Sequence, residues 1–196
     1  MKTSSYSVLQ DAWFKRCYPE NTAIGDLEKN LFFSFLIEAY SEIWNRFDWT
    51  ETLGICKVAS SEQGILNVGE SDCYNCRVLQ AYNDNPVKDS AERLDLQNYG
   101  EKVYVHPVPE SLTVWVVYKL KTPLVFPEMR IPDIFMNMLL ARTIAHWQQS
   151  QGHSEFAAKS MSDYESYFTQ AISKQPISET LRNSVNSRLS FEQKAQ

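Results

Sequence analysis

The sequence predicts an α+β fold, a helical bundle of three main helices with an inserted small antiparallel β-domain and a C-terminal extension. Three observations point there. The stretches after Asp26 and after Gly152 repeat apolar residues at steps of three and four, the spacing of one helix face. Between them, Ile131 to Gln151 is apolar nearly all round, so this helix needs neighbours on several sides. The region from Thr52 onward instead breaks into short β-branched runs divided by Gly, Pro and Asn. The chain then divides into 1–51, an N-terminal segment and first bundle helix; 52–130, the inserted β-domain; 131–175, the paired C-terminal bundle helices; and 176–196, an extension that stays flexible until bound.

In order, Val8, Ala12 and Trp13 form the stripe of a short helix that Pro19 stops. Asp26 caps a helix to about Asp48, with Phe32, Leu36, Ala39 or Tyr40, Ile43 and Phe47 on its inner face. Trp44 and Trp49 seat its far end on the next layer. Strands are predicted over 55–59, 76–82, 102–106 and 112–120, giving a small antiparallel sheet or sandwich. In the last strand Leu112, Val114, Val116, Tyr118 and Leu120 share one face. Asp89, Glu92 and Asp95 fall in an acidic loop.

Pro123 and Pro127 keep the next stretch extended. Pro132 then takes the first helical position and Asp133 sits at the positive end of the helix dipole. Arg142, Thr143 and His146 leave a narrow polar strip on this central helix. Gly152 ends it and Ser154 caps the next, so two antiparallel helices follow. The second buries Ala157, Met161, Tyr164, Phe168 and Ala171. Beyond Pro176, Leu181, Val185, Leu189 and Phe191 mark either a frayed tail or a short helix that waits for a groove on another molecule.

The chain has 196 residues, enough to bury a sizeable core, and its 43% hydrophobic and 22% charged residues suit a soluble protein. A net charge of -5 argues against a surface built to grip nucleic acid. No apolar run reaches the roughly 20 residues that span a bilayer, and Met1 to Gln10 lacks the apolar core of a secretory signal. Folding in a cytoplasm without a disulfide framework is therefore expected for Cys17, Cys56, Cys73 and Cys76.

Cys73 and Cys76 have the spacing of half a zinc knuckle, but no second Cys or His pair follows, and Cys56 with His106 completes a site only by coincidence of the fold. Two thiols beside a strand are the simpler reading, and no cofactor is expected. His146 and His153 are seven apart, yet Gly152 interrupts their helix, which leaves solvent-facing or capping histidines. Nucleophile-elbow, phosphate-loop and dinucleotide motifs are absent, so no enzyme is expected. Aromatics make up 13% of the chain, with Trp13, Trp44, Trp49, Trp115 and Trp147 in separate segments; such residues either fill the seam between layers or form interfaces.

The order of elements is informative as a whole. A helix ending in Trp44-Asn-Arg-Phe-Asp-Trp49-Thr-Glu is followed by a β-insertion, the strand Val114-Trp-Val-Val-Tyr118, and the linker Lys121-Thr-Pro-Leu-Val-Phe126. Ile131-Pro-Asp133 then leads into helices carrying Ala141, Ala145 and Trp147 before the Gly152 turn and Ala157, Ala158 and Tyr164 after it. Over roughly Asp26 to Lys174 this resembles the head-to-tail adaptor proteins of tailed bacteriophages, also called connector or head-completion proteins.

The resemblance implies a structural virion protein, assembled in the host cytoplasm and placed at the neck. It implies a ring, usually a dodecamer, beneath the portal, lining part of the DNA channel and carrying the tail or nozzle. It also implies that the C-terminal extension docks on the portal, through Leu181, Val185, Leu189 and Phe191. A ring subunit presents two different surfaces to its neighbours. An acidic channel lets DNA slide without specific binding, and no membrane is involved. The N-terminal region is shorter than in longer adaptors, which bears on the surface that meets the tail. Competing readings are a tail terminator or other neck ring protein, a small zinc-dependent enzyme using Cys73, Cys76 and a histidine, and a monomeric binding module.

Overall fold

The computed structural model describes residues 3–20, 23–71, 76–86, 88, 90–99, 102–126 and 129–175. Among them the fold is α+β with four helices and two antiparallel sheets. The elements run β1 (Thr3–Ser5), α1 (Tyr6–Cys17), α2 (Asp26–Arg46), β2 (Leu53–Ala59), β3 (Arg77–Tyr82), β4 (Arg93–Tyr99), β5 (Lys102–His106), β6 (Thr113–Lys119), β7 (Arg130–Pro132), α3 (Asp133–Ser150) and α4 (Ser154–Ser173). They sort into a helical unit, made by the chain up to Phe47 and by Thr122–Gln175, and a β unit built on Asp48–Lys121.

In the helical unit, α3 packs on α1, α2, α4 and both short strands, which satisfies its apolar surface on every side. Its start differs from expectation. Pro132 is the N-cap rather than the first helical residue, because it also ends β7, paired with Thr3 in a two-stranded sheet the sequence did not suggest. Ser4 Oγ donates to Asp133 Oδ1 at 2.7 Å and pins that junction. Thr143 is not on a polar strip either. It is fully buried, and its hydroxyl donates back to the Leu139 and Leu140 carbonyls.

Helix α1 buries Tyr6, Leu9, Trp13, Phe14 and Cys17, so its inner stripe runs through Leu9 while Val8 faces solvent. Gly25, not Asp26, is the N-cap of α2; Asp26 and Glu28 in the first turn still favour the helix dipole. The inner face of α2 holds Phe32, Leu36, Ala39, Tyr40 and Ile43, as its period predicts, and Trp44 beside them, whereas Phe47 is the C-cap beyond the helix and only half-buried. Trp44 packs edge-on against Phe135 of α3. At the α3–α4 turn Gly152 takes φ +76 and His153, rather than Ser154, is the N-cap. Contacts of Gln148 with Ser160 and of Arg142 with Met161 show the two helices antiparallel. Helix α4 buries Ala157, Tyr164, Phe168 and Ala171.

The β unit is one five-stranded antiparallel sheet, in the order β2-β6-β3-β4-β5, the sheet rather than the sandwich of the two expected forms. Strand β4 lies where an acidic loop was expected, and Asp95 is inside it; Leu94 and Leu96 alternate with Arg93, Asp95 and Gln97, the signature of a half-buried strand. Leu112 precedes β6 instead of opening it, exposed and with φ 49.

The sheet rolls up and closes. The outer edge of β5 bonds the 64–66 segment, Leu66 N–H to the Val103 carbonyl and Val105 N–H to the Gly64 carbonyl, both at 2.9 Å. Asn67 N–H then reaches the Ala59 carbonyl at the end of β2 at 2.8 Å, so the ring of strands is complete. Cys56, Val58, Leu66, Ala81, Leu94, Val105, Val114, Val116 and Tyr118 fill the interior, the arrangement of a small barrel.

Candidate functional site

Along α2, Glu38, Glu42 and Arg46 recur every four residues and so line one face of the helix. That face meets α3 and α4 through charge. Arg46 donates to Glu165 through Nη1 and Nη2, at 2.8 and 2.7 Å, and its guanidinium lies 4.0 Å from the centre of the Phe168 ring. The Glu165 hydrogen bonds push the Arg46 pKa up, and the same bonds hold the Glu165 carboxyl below its usual range. Arg142 Nε donates to Glu42 Oε2 at 2.7 Å, and Nη1 reaches Met161 Sδ at 3.0 Å.

His146 stacks on Phe35, with ring centres 5.8 Å apart and planes 4° apart. Its Nδ1 is 3.7 Å from Glu38 Oε2, and its buried Nε2 has no hydrogen-bond partner. It therefore packs between α2 and α3, rather than facing solvent or capping a helix. Burial pushes its pKa down and Arg142 adds to this, against weaker opposition from Glu38 and Glu42. An imidazole beside a carboxylate is an acid–base pair in outline, but Glu42, Arg142, Arg46 and Glu165 are paired with one another across three helices. This ladder ties helices together.

Of the Cys73 and Cys76 pair, only Cys76 falls within the described residues. Cys73 and the extension residues Leu181, Val185, Leu189 and Phe191 lie outside them. Cys76 is half-buried against the barrel interior and Cys56 is within it, while His106 is exposed at the end of β5. No group of three or more His, Cys, Asp or Glu among the described residues is placed to hold a metal ion. Cys17 is buried in α1, and burial pushes its thiol up to about 12, which makes it inert.

The barrel carries a second feature that the sequence did not indicate. Strands β3 and β4 pair only at Tyr82↔Arg93 and Ala81↔Leu94 and then part. The register of β3 on β6 shifts between Val78 and Gln80, so Leu79 is an extra residue that bends β3 away. Between the strands opens a cleft of about 510 Å³, lined by Val78, Leu79 and residues 93–98. The hydrogen-bond pattern fixes what faces it. Val103 and Val105 bond outward to the 64–66 segment, so in β5 it is Lys102, Tyr104 and His106 that bond β4, through Tyr99, Gln97 and Asp95. The N–H and C=O groups of Leu96 and Asn98 consequently point the other way, into the cleft.

No protein-family model matches the chain, and neither does any curated protein.

Three of the five tryptophans, Trp13, Trp44 and Trp49, are buried, so much of the aromatic content serves the interior. The exposed large apolar residues are others. Leu124 is 86% exposed, Leu27 70% and Phe156 63%, with Tyr99, Val8, Phe126, Ile37 and Tyr167 also accessible. Singly such residues are ordinary; here most fall on α2, on α4 and on the linker after the barrel.

Proposed function

We propose that the chain is a structural virion protein, a head-to-tail adaptor that forms a ring between portal and tail and lines part of the DNA channel. In this reading the three long helices α2, α3 and α4 form the ring wall, with α1 packed on them as a short fourth helix. The β unit is an inserted β-domain that meets a neighbour or the tail, and 176–196 is an extension that docks on the portal through Leu181, Val185, Leu189 and Phe191. Docking would trade chain entropy for buried apolar surface.

The observation that carries this reading is the pairing of a charge-locked helical unit with exposed apolar residues on several of its elements. Leu27 and Ile37 lie on α2, Phe156 and Tyr167 on α4, and Leu124 and Phe126 on the linker. A heterologous ring needs two unlike, partly apolar surfaces on a subunit rigid enough to close. The test is electron microscopy of the purified protein mixed with isolated portal. The expected result is a closed ring on the portal face. Rings on tail-tube ends would instead identify a tail terminator, and a persistent monomer that binds neither would end the adaptor reading.

A further inference from the structure

We propose that Met161 is a modification site, a methionine whose oxidation by hydrogen peroxide or another hydroperoxide loosens α4 from α3. Arg142 of α3 joins three helices through one guanidinium. Its Nε donates to Glu42 Oε2 on α2 at 2.7 Å, and its Nη1 donates to Met161 Sδ on α4 at 3.0 Å. The Arg142 side chain is 19% exposed, so most of this link is out of water. On α4, Met161 borders the buried stripe of Ala157, Tyr164, Phe168 and Ala171 and is itself half-buried, within reach of a small reagent. Its thioether is a weak acceptor, and it is the group in this link that a peroxide alters. Of the described methionines, Met129 and Met138 are buried, and Met136 is half-buried like Met161.

In the reaction a sulfur lone pair takes one oxygen of the peroxide, the O–O bond breaks and water leaves; the sulfur is oxidised by two electrons and the peroxide reduced by two. A thioether has two lone pairs, and either addition ends the bond to Arg142. Oxygen on the lone pair that faces Nη1 has to enter a gap of 3.0 Å, where a sulfur–oxygen bond and a charge-assisted hydrogen bond of about 2.8 Å do not fit in line, so the two side chains move apart. Oxygen on the other lone pair withdraws electron density, and the sulfur stops accepting. Each epimer also sets a polar group at the rim of the apolar stripe. The change stays local. Arg46 with Glu165 still holds α4 to α2, and Ser160 with Gln148 still holds it to α3. Enzymatic reduction of the sulfoxide restores the thioether, which makes the modification reversible. The site behaves in this way whether or not the chain serves as an adaptor.

The test treats the full chain with hydrogen peroxide, locates added oxygen by peptide mass spectrometry and follows hydrogen exchange along the helices. The expected result is one oxygen on Met161, with exchange at the Tyr164 and Glu165 amides of α4 faster by at least about fivefold and exchange at Trp13 and Phe14 of α1 unchanged. Methionine sulfoxide reductase should return the α4 amides to their starting rates. In Met161→Leu, which keeps the bulk and removes the sulfur, peroxide should leave α4 unchanged, whereas in Met136→Leu it should still act. Met161 staying unoxidised under conditions that oxidise Met136 would overturn the assignment. So would full oxidation of Met161 with no change at Tyr164 and Glu165, or loosening of α4 by peroxide in Met161→Leu. Equal acceleration in α1 would also overturn it, because the effect would then be general unfolding.

Discussion

Arg46 and Glu165, on α2 and α4, form a two-pronged ion pair at 2.8 and 2.7 Å, with the guanidinium resting on the Phe168 ring. The two side chains are 35% and 49% exposed, so water screens the charge and the ring contact carries a good part of the value. Arg46→Ala is expected to destabilise the helical unit by about 1–2 kcal/mol, combining an exposed pair with a cation–π contact. Glu165→Gln keeps the ring contact and should cost less than about 1 kcal/mol. The Glu165 carboxyl titrates below its usual value, so its contribution is complete above the unfolded pKa and fades as pH falls through the lowered folded one. Urea titrations at pH 7 and pH 3 check this: the gap between Glu165→Gln and the parent should close at the lower pH.

His146 makes stability pH-dependent in the same direction but in another range. Its folded pKa lies below the ordinary 6.5, so the unfolded chain binds a proton more readily. Stability is therefore complete above pH 6.5 and is lost as pH falls from there to the lowered folded value. His146→Phe keeps a ring against Phe35 and removes the proton site. It should flatten the stability curve between pH 7 and 5, measured by denaturant unfolding, and an unchanged slope would show that another group causes it.

The helices were legible because their burial repeats within one element. Ala157, Tyr164, Phe168 and Ala171 could be read from α4 alone, and Val114, Val116 and Tyr118 from β6. What could not be read depends on partners distant in sequence. His146 and Arg142 fall on the polar strip of a helical wheel, and it takes Glu38, Glu42 and Phe35 of α2 and Met161 of α4 to make them part of a helix interface. Strand β4 was hidden because Arg93, Asp95 and Gln97, its outward positions, read as loop chemistry while Leu94 and Leu96 were only two apolar residues. Closure of the barrel rests on backbone bonds from Leu66 to Val103 and from Asn67 to Ala59, which leave no side-chain pattern. The cleft follows from a single extra residue, Leu79, in β3.

Arg77 and Lys119 stand opposite each other in the β3–β6 register, two like charges that would repel. Asp48 separates them, 2.6 Å from Arg77 and 3.3 Å from Lys119. The Lys119 side chain is only 11% exposed, and burial pushes its pKa down despite the opposing pull of Asp48. Asp48→Asn should therefore cost roughly 2 kcal/mol, more than the loss of a fully exposed pair because the Lys119 side chain is largely buried. Adding Arg77→Gln to that variant removes the repulsion and should restore part of the loss. A double-mutant cycle by thermal or urea unfolding reads the coupling, and additivity of the two changes would show that the charges do not sense each other.

Two glycines with nearly the same backbone angle separate conformational cost from steric cost. Gly64 has φ +78 and Gly152 φ +76, both in the region L side chains rarely adopt. A Cβ on Gly152 would meet nothing within 4 Å, whereas on Gly64 it would lie 2.5 Å from the Val105 carbonyl oxygen, at the seam that closes the barrel. Gly152→Ala should then cost only the left-handed strain, about 1–2 kcal/mol. Gly64→Ala adds a backbone clash that can be relieved only by parting the 64–66 segment from β5, so it should cost distinctly more, about 3 kcal/mol or above. Exchange at the Leu66 and Val105 amides, which bond across that seam, should rise in Gly64→Ala and stay unchanged in Gly152→Ala. Equal costs for the two alanines would mean that the seam yields freely, and the closed barrel would then be a weaker structure than its ring of hydrogen bonds implies.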